Sequence, residues 1–236
     1  MRACTIALIC FSWCTSSFGQ ANTISVPTES FERRVLSQEV PDFSVTRGTL
    51  LSSLESLSSG PVPFRLGFEG VLSAKFGEAV EPDPHFDLHL QNKTVREILN
   101  ALCFADPRYT WSVEDATVNV YPRASVDDMN YLPNRRLNKF ELKGITNIDQ
   151  GLLAIYHQLP PPEEQIGHAQ MGGDSSYPLE PWTATFEALT VRQAINRLVA
   201  HMGPRACWTF HGSRDFRTFT FFRSGFQPDV GTGAAK

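Results

Sequence analysis

From Phe43 onward, apolar residues switch repeatedly between a spacing of two and a spacing of three or four. Phe43 and Val45 alternate with polar neighbours and predict a short strand. Leu50, Leu51, Leu54 and Leu57 then fall on one face of a helix, which Gly60-Pro61 ends. Phe64, Leu66 and Phe68 return to a period of two. After the turn-rich stretch 77–84, Phe86, Leu88 and Leu90 do so again. Thr94-Val95-Arg96-Glu97 has the form of a capping box, in which the Thr hydroxyl takes an orphan helix amide and Glu97 reaches back to the cap. Val95, Ile98, Leu99 and Leu102 continue as one helical face. Trp111 with Val113, then Val118 with Val120, predict a closing hairpin across Glu114-Asp115. The predicted order is β-α-β-β-α-β-β.

A second unit follows the turn Pro133-Asn134-Arg135-Arg136. Phe140 and Leu142 mark a strand, and Leu152, Leu153, Ile155 and Tyr156 a helix over 149–158. The stretch 160–181 is rich in Pro and Gly and predicts a long loop. Trp182, Ala184 and Phe186 alternate again, and Thr190-Val191-Arg192-Gln193 is a second capping box, followed by Ile195, Leu198 and Met202 on one face. Trp208 and Phe210, then Phe219 and Phe221, predict another hairpin. The two capped helices match as internal repeats: Thr94-Val95-Arg96 against Thr190-Val191-Arg192, with Asn100 and Leu102 recurring as Asn196 and Leu198. A strand precedes each helix, and a Trp follows each at nearly the same distance. The expected fold is α+β: two tandem small β-α-β-β-α-β-type modules, with helices packed on small mixed sheets.

This order of elements resembles the secretin and TonB short N-terminal (STN) domain. The stretch 86–121 is similar to the second half of that domain, 43–68 to its first half, and 182–222 to its second half again. The resemblance implies a periplasmic or outer-membrane-associated module that docks onto other envelope components. It implies no catalytic signature.

Composition narrows the function classes. With 42% hydrophobic residues the chain has material for cores, and a net charge of -4 argues against a nucleic-acid partner. Arg2, the short apolar run 5–13 and the small residues Gly19 and Ala21 have the form of an export signal over 1–21. A linker is expected over 22–39, modules over 40–125 and 136–223, and a tail over 224–236. No transmembrane span is expected in the mature chain. Cys103 and Cys207, the two cysteines beyond the signal, sit among apolar neighbours and predict buried thiols rather than a disulfide framework.

Candidate chemistry is sparse. His85, Asp87 and His89 share one face of a predicted strand, and imidazole and carboxylate are zinc ligands. Successive side chains on that face stand about 6 to 7 Å apart, too far for one ion without distortion. There is no Gly-x-Ser-x-Gly elbow and no phosphate-cradling Gly-rich loop. No catalytic residue, metal site or cofactor is therefore assigned. The aromatic residues of the second unit are the stronger lead. An exposed aromatic edge strand at Phe219 and Phe221 is expected to accept a partner strand or a second copy, with Tyr177 in the long loop and Trp182 as further contacts. The expected role is that of an exported, non-enzymatic periplasmic module that binds protein in an outer-membrane or secretion/transport complex. Two other readings are a periplasmic sensory domain holding a small ligand or peptide between the modules, and a metal-dependent hydrolase at His85, Asp87 and His89.

Overall fold

The changes of hydrophobic period correspond to elements in the computed structural model, which describes residues 28–75, 78, 81–159, 179–213 and 217–224. The protein is α+β. The first half runs α1 (Thr28–Phe31), a π turn (Glu32–Leu36), β1 (Glu39–Gly48), α2 (Leu50–Ser59), β2 (Arg65–Glu69), β3 (Phe86–Thr94), α3 (Val95–Ala105), β4 (Tyr109–Glu114) and β5 (Thr117–Pro122). The second runs β6 (Phe140–Ile145), α4 (Ile148–Tyr156), β7 (Trp182–Phe186), α5 (Val191–Ala200), β8 (Ala206–Gly212) and β9 (Arg217–Arg223). Among the described residues no helix is long and apolar enough to cross a membrane.

Helices α2 to α5 are all started by a side chain. Thr49, Thr94 and Thr190 each accept the backbone amide three residues on, and Ser52, Glu97 and Gln193 return the bond to the cap. Asn147 caps α4 by accepting from the Gln150 amide. These bonds satisfy amides that would otherwise be orphaned at the first turn.

Boundaries differ from expectation at three places. The stretch expected as a linker over 22–39 holds structure: residues 28–36 are helical, and Phe31 and Leu36 are buried in the first core. The first strand begins at Glu39, with Val40 buried beside Phe43. The first hairpin turns at Asp115-Ala116 rather than Glu114-Asp115. Both turn residues have positive φ (51° and 55°), the backbone that matches the twist of a two-residue hairpin. Arg65 steadies this turn by donating to the Asp115 and Ala116 carbonyls, both at 3.1 Å. The expected signal, most of the long loop and nearly all of the tail lie outside the described residues.

The sheets show how the halves meet. β1 pairs with β3 and β6 with β7, each an antiparallel ribbon. The remaining strands form one five-stranded sheet in the order β4-β5-β2-β8-β9. Its two outer pairs are antiparallel hairpins; β2 lies between them, parallel to β5 on one side and to β8 on the other. Side chains alternate across a sheet, so its two faces belong to different cores. Leu66, Phe68, Val118, Val120 and Cys207 pack with α2 and α3. Trp208, Phe210, Phe219 and Phe221 pack with α4 and α5. Cys207 and Trp208 are adjacent in the chain and lie in opposite cores. Both expected thiols are free and buried.

The cap of α3 sets a pH dependence. The backbone bond from Thr94, then Lys93 and the Thr94 hydroxyl, lower the Glu97 carboxyl from 4.5 to about 2. A depressed folded-state carboxylate stabilises fully above its unfolded value and loses that contribution as pH falls through its folded value. Urea midpoints of the wild type are thus expected to drop between pH 4.5 and pH 2 more steeply than those of Glu97→Gln.

Candidate functional site

The matching helices α3 and α5 each build the same polar cluster against the strand that follows. In the second half, Trp208 Nε1 on β8 donates to Asn196 Oδ1 at 2.9 Å. In the first, Trp111 Nε1 on β4 donates to Asn100 Oδ1, also at 2.9 Å. Each Asn lies one turn beyond an Arg at the second helical position, Arg192 in α5 and Arg96 in α3. The two clusters differ in what covers them.

Around Arg192 the cluster is closed by the first half. Its guanidinium donates two bonds to the Glu69 carboxylate at the end of β2, Nε to Oε1 at 2.6 Å and Nη2 to Oε2 at 2.9 Å. Glu114 lies 3.7 Å from Nη1, and the Tyr121 ring centroid is 4.4 Å from the guanidinium carbon. Glu69 is 0% exposed and the Arg192 side chain 7%. Burial pulls the Glu69 carboxyl upward and opposes its charge, while Arg192 favours it. Burial alone would lower the Arg192 guanidinium, but its bonds and charge contact with Glu69 outweigh that and raise it. The bidentate geometry keeps the pair ionised. The Tyr131 hydroxyl is buried beside Glu69 outside good hydrogen-bond geometry, and burial followed by the Glu69 charge holds it well above the usual phenol range. Asn196 Nδ2 donates to the Glu114 carbonyl at 3.2 Å, and Arg197 Nε to Asp115 Oδ1 at 3.2 Å, so α5 also grips the tip of the β4–β5 hairpin.

Gly67 makes this fit possible. In the β2–β8 register it stands level with Trp208. A Cβ there would lie 2.5 Å from Trp208 Cε2 and 2.6 Å from Asn119 Oδ1. A glycine inside a strand commonly marks such a close approach.

The Arg96 cluster lies at the surface. Arg96 and Asn100 are exposed and Trp111 half-buried, with the Arg96 guanidinium 5.7 Å from the Trp111 ring centroid. Phe104, one turn beyond Asn100, is 88% exposed. β4 is an end strand of the sheet, and among the described residues no strand pairs with its outer edge.

The residues singled out from sequence fall elsewhere. Phe219 and Phe221 are fully buried, 4.7 Å separating the Phe219 and Phe210 ring centroids. This corrects the expected aromatic contact strand: β9 is a sheet edge, but these two rings turn inward because both faces of the sheet are covered. Phe222, on the opposite face level with Cys207, is half-buried against the first core. Trp182 is half-buried and stacks on His201 at 3.9 Å. Tyr177 lies outside the described residues. His85, Asp87 and His89 do share a face of β3 or its approach, but each is engaged with β1: His85 Nδ1 with the Arg47 carbonyl at 2.9 Å, Asp87 Oδ1 with the Arg47 amide at 2.7 Å, and His89 Nδ1 with Ser44 Oγ at 2.7 Å. Among the described residues no three His, Cys, Asp or Glu side chains come together as a metal site. Compared with family models, curated proteins and solved structures, the chain finds no match.

Removing one member of a buried ion pair leaves an uncompensated charge and costs about 3–5 kcal/mol, whereas replacing both by apolar residues is often neutral. Arg192→Met is expected to lower unfolding free energy by that amount in urea titration, and Arg192→Met with Glu69→Leu to recover most of it. Gly67→Ala, which overpacks the Trp208 contact, is expected to cost about 1–3 kcal/mol or somewhat more in the same assay.

Proposed function

We propose that this chain is an exported, non-enzymatic protein-interaction module of the bacterial envelope, built from two STN-like units, that docks onto an outer-membrane or secretion/transport complex. The observation that carries this reading is the pair of matching clusters. One is engaged in a contact between folded units, made by an added strand and a buried ion pair. The other has the same Trp–Asn pair beside a sheet edge that no described strand covers. A surface that already serves as a docking face within the molecule is supported as a docking face for another protein. The export signal and the STN resemblance support the envelope as the compartment.

The space between the halves also favours docking over a ligand-binding role. The shared sheet passes through it, and the Arg192 cluster fills the region beside β2 with Glu69, Tyr121 and Tyr131. His85, Asp87 and His89 are used to join β3 to β1, which gives the hydrolase reading no support of its own.

In-cell photocrosslinking from Phe104, on the surface cluster, and from Leu153, 55% exposed on α4, separates the two ends of the molecule. A specific adduct with an outer-membrane or secretion component from position 104, weak or missing from 153, is the expected result. Adducts confined to cytoplasmic proteins, or none from either position, would overturn the envelope-docking role.

A further inference from the structure

We propose that the outer edge of β4 pairs antiparallel with β4 of a second copy, about a twofold axis at Ser112, so that the central sheets of two copies become one. This inference goes beyond the docking role above and does not depend on it. An envelope partner that takes the β4 edge would displace the second copy.

Among the described residues β1, β3, β4, β6, β7 and β9 each have one unpaired edge. Soluble proteins defend such edges with charge, proline, breaks in the ladder or short length, and all but β4 carry a defence of this kind. β1 holds Pro41 and Asp42, β3 holds Asp87 and Lys93, and the ladder between them shifts at Val45–Gly48. β6 holds Glu141, Lys143 and a left-handed Gly144, and its ladder with β7 breaks between Leu142 and Ile145. β7 is 5 residues long, set between Pro181 and Ala188, whose φ is 52°. β9 has Arg217 and Arg223 at its ends. In β4, by contrast, Thr110, Trp111, Ser112 and Val113 are uncharged and half-buried, the register with β5 never shifts, and the one charge, Glu114, stands next to the turn. The undefended edge of one copy meets the same undefended edge in another, which makes the contact isologous and closes it at two copies.

The backbone selects the register. The β4–β5 turn has two residues, so Glu114 and Thr117 beside it exchange backbone bonds. Alternation then turns Ser112 and Thr110 toward β5, and the N–H and C=O groups of Trp111 and Val113 outward. At the other end of the hairpin the Arg108 carbonyl accepts the Arg123 amide at 2.8 Å, as the same alternation requires. Tyr109 also faces outward, but its amide donates to the Asp106 carbonyl at 3.2 Å and its carbonyl accepts from Arg123 Nη2 at 3.1 Å. That leaves Trp111 and Val113 to bind a strand. With Ser112 level with Ser112 of the other copy, Trp111 stands opposite Val113 in both directions, and each such pair exchanges two bonds. Centring the pair on Trp111 instead would set Val113 against Tyr109, whose groups are already used.

The side chains agree with this register. Opposed residues share a face, and Trp111 and Val113 both lie on the side of the first core. An aromatic ring against a β-branched side chain is a favourable cross-strand pair. The small Ser112 falls at the close pair on the axis, where Cα atoms approach to about 4.5 Å. Both α3 helices come to the same face of the joined sheet. Phe104, 88% exposed, is one turn beyond the Asn100 that holds Trp111, so it adds apolar surface beside the seam.

Sedimentation of the purified chain is expected to show a concentration-dependent equilibrium between monomer and dimer. Val113→Pro removes an outward N–H and none that faces β5. It is expected to raise the dimer dissociation constant at least tenfold with an unchanged circular dichroism spectrum. Ser112→Cys, on the axis, is expected to form a disulfide-linked dimer under mild oxidation, because a Cα separation of about 4.5 Å suits the bond. Thr110→Cys, displaced from the axis, should stay monomeric in the same gel. Cys103 and Cys207 are buried and do not compete. A monomer at all concentrations, a species larger than a dimer, a dimer indifferent to Val113→Pro, or equal crosslinking by the two cysteine variants would overturn the proposal. The cysteine pair keeps the test decisive if Val113→Pro misfolds. A monomer in sedimentation with envelope adducts from position 104 would leave the docking role and remove the self-pairing; a dimer without such adducts would do the reverse.

Discussion

The structure depends on β2 having two occupied edges and two buried faces. A strand at the end of one unit would normally leave a row of unpaired amides and carbonyls, and here β8 satisfies them. Once β8 is in place, the polar end of β2 is also removed from water, and the Glu69 carboxylate must find a cation there. Arg192 provides it with two short bonds, and Tyr121 stacks beneath. Thus one backbone pairing dictates a buried charge, and the buried charge dictates where the second pair of helices sits. Ion pairs of this kind add little net stability compared with an apolar replacement, but they penalise any register that separates the partners. Glu69 opposite Phe210 is the register in which Arg192 can be reached.

The same logic explains why each face of the central sheet belongs to a different core. The helices of the first half cover Leu66, Phe68, Val118 and Val120, and those of the second cover Trp208, Phe210, Phe219 and Phe221. Neither half could bury the full sheet alone, because each helix pair is on one side. Cys207 and Phe222 are on second-half strands but complete the first core. The halves are repeats in their local wiring, yet they share side chains where they meet.

Much of the local structure was legible in the sequence, for definite reasons. The strands and helices with one buried face announced themselves by period, and the Thr94 and Thr190 capping boxes are present as their spacing predicted. The helical segment before β1 was hidden because Phe31, Val35 and Leu36 are too few apolar residues in a polar stretch to show a period, and contact with the first core orders them. The aromatic run at 219–222 invited an exposed edge because period alone cannot show that both sheet faces are covered. The candidate site was the least legible part. Glu69 and Arg192 lie 123 residues apart, and no local pattern links an acidic strand end to a helix start at that distance. The matching Arg, Asn and Trp positions were visible as a repeat, but which copy is covered depends on strand order, which hydrophobic spacing does not encode.

The position of β2 has a consequence for how the chain is made. Its second neighbour, β8, is encoded 141 residues later, counting from Leu66 to the Cys207 that stands level with it. At roughly 5–20 residues per second of synthesis, about 7–28 seconds separate the emergence of the two strands. During that interval the first half can assemble most of its core, but it lacks Cys207 and Phe222, and β2 remains a bare edge with a carboxylate and a glycine facing water. The newborn chain is then briefly a receptor for foreign strands, and the arrival of its own second half ends that vulnerability.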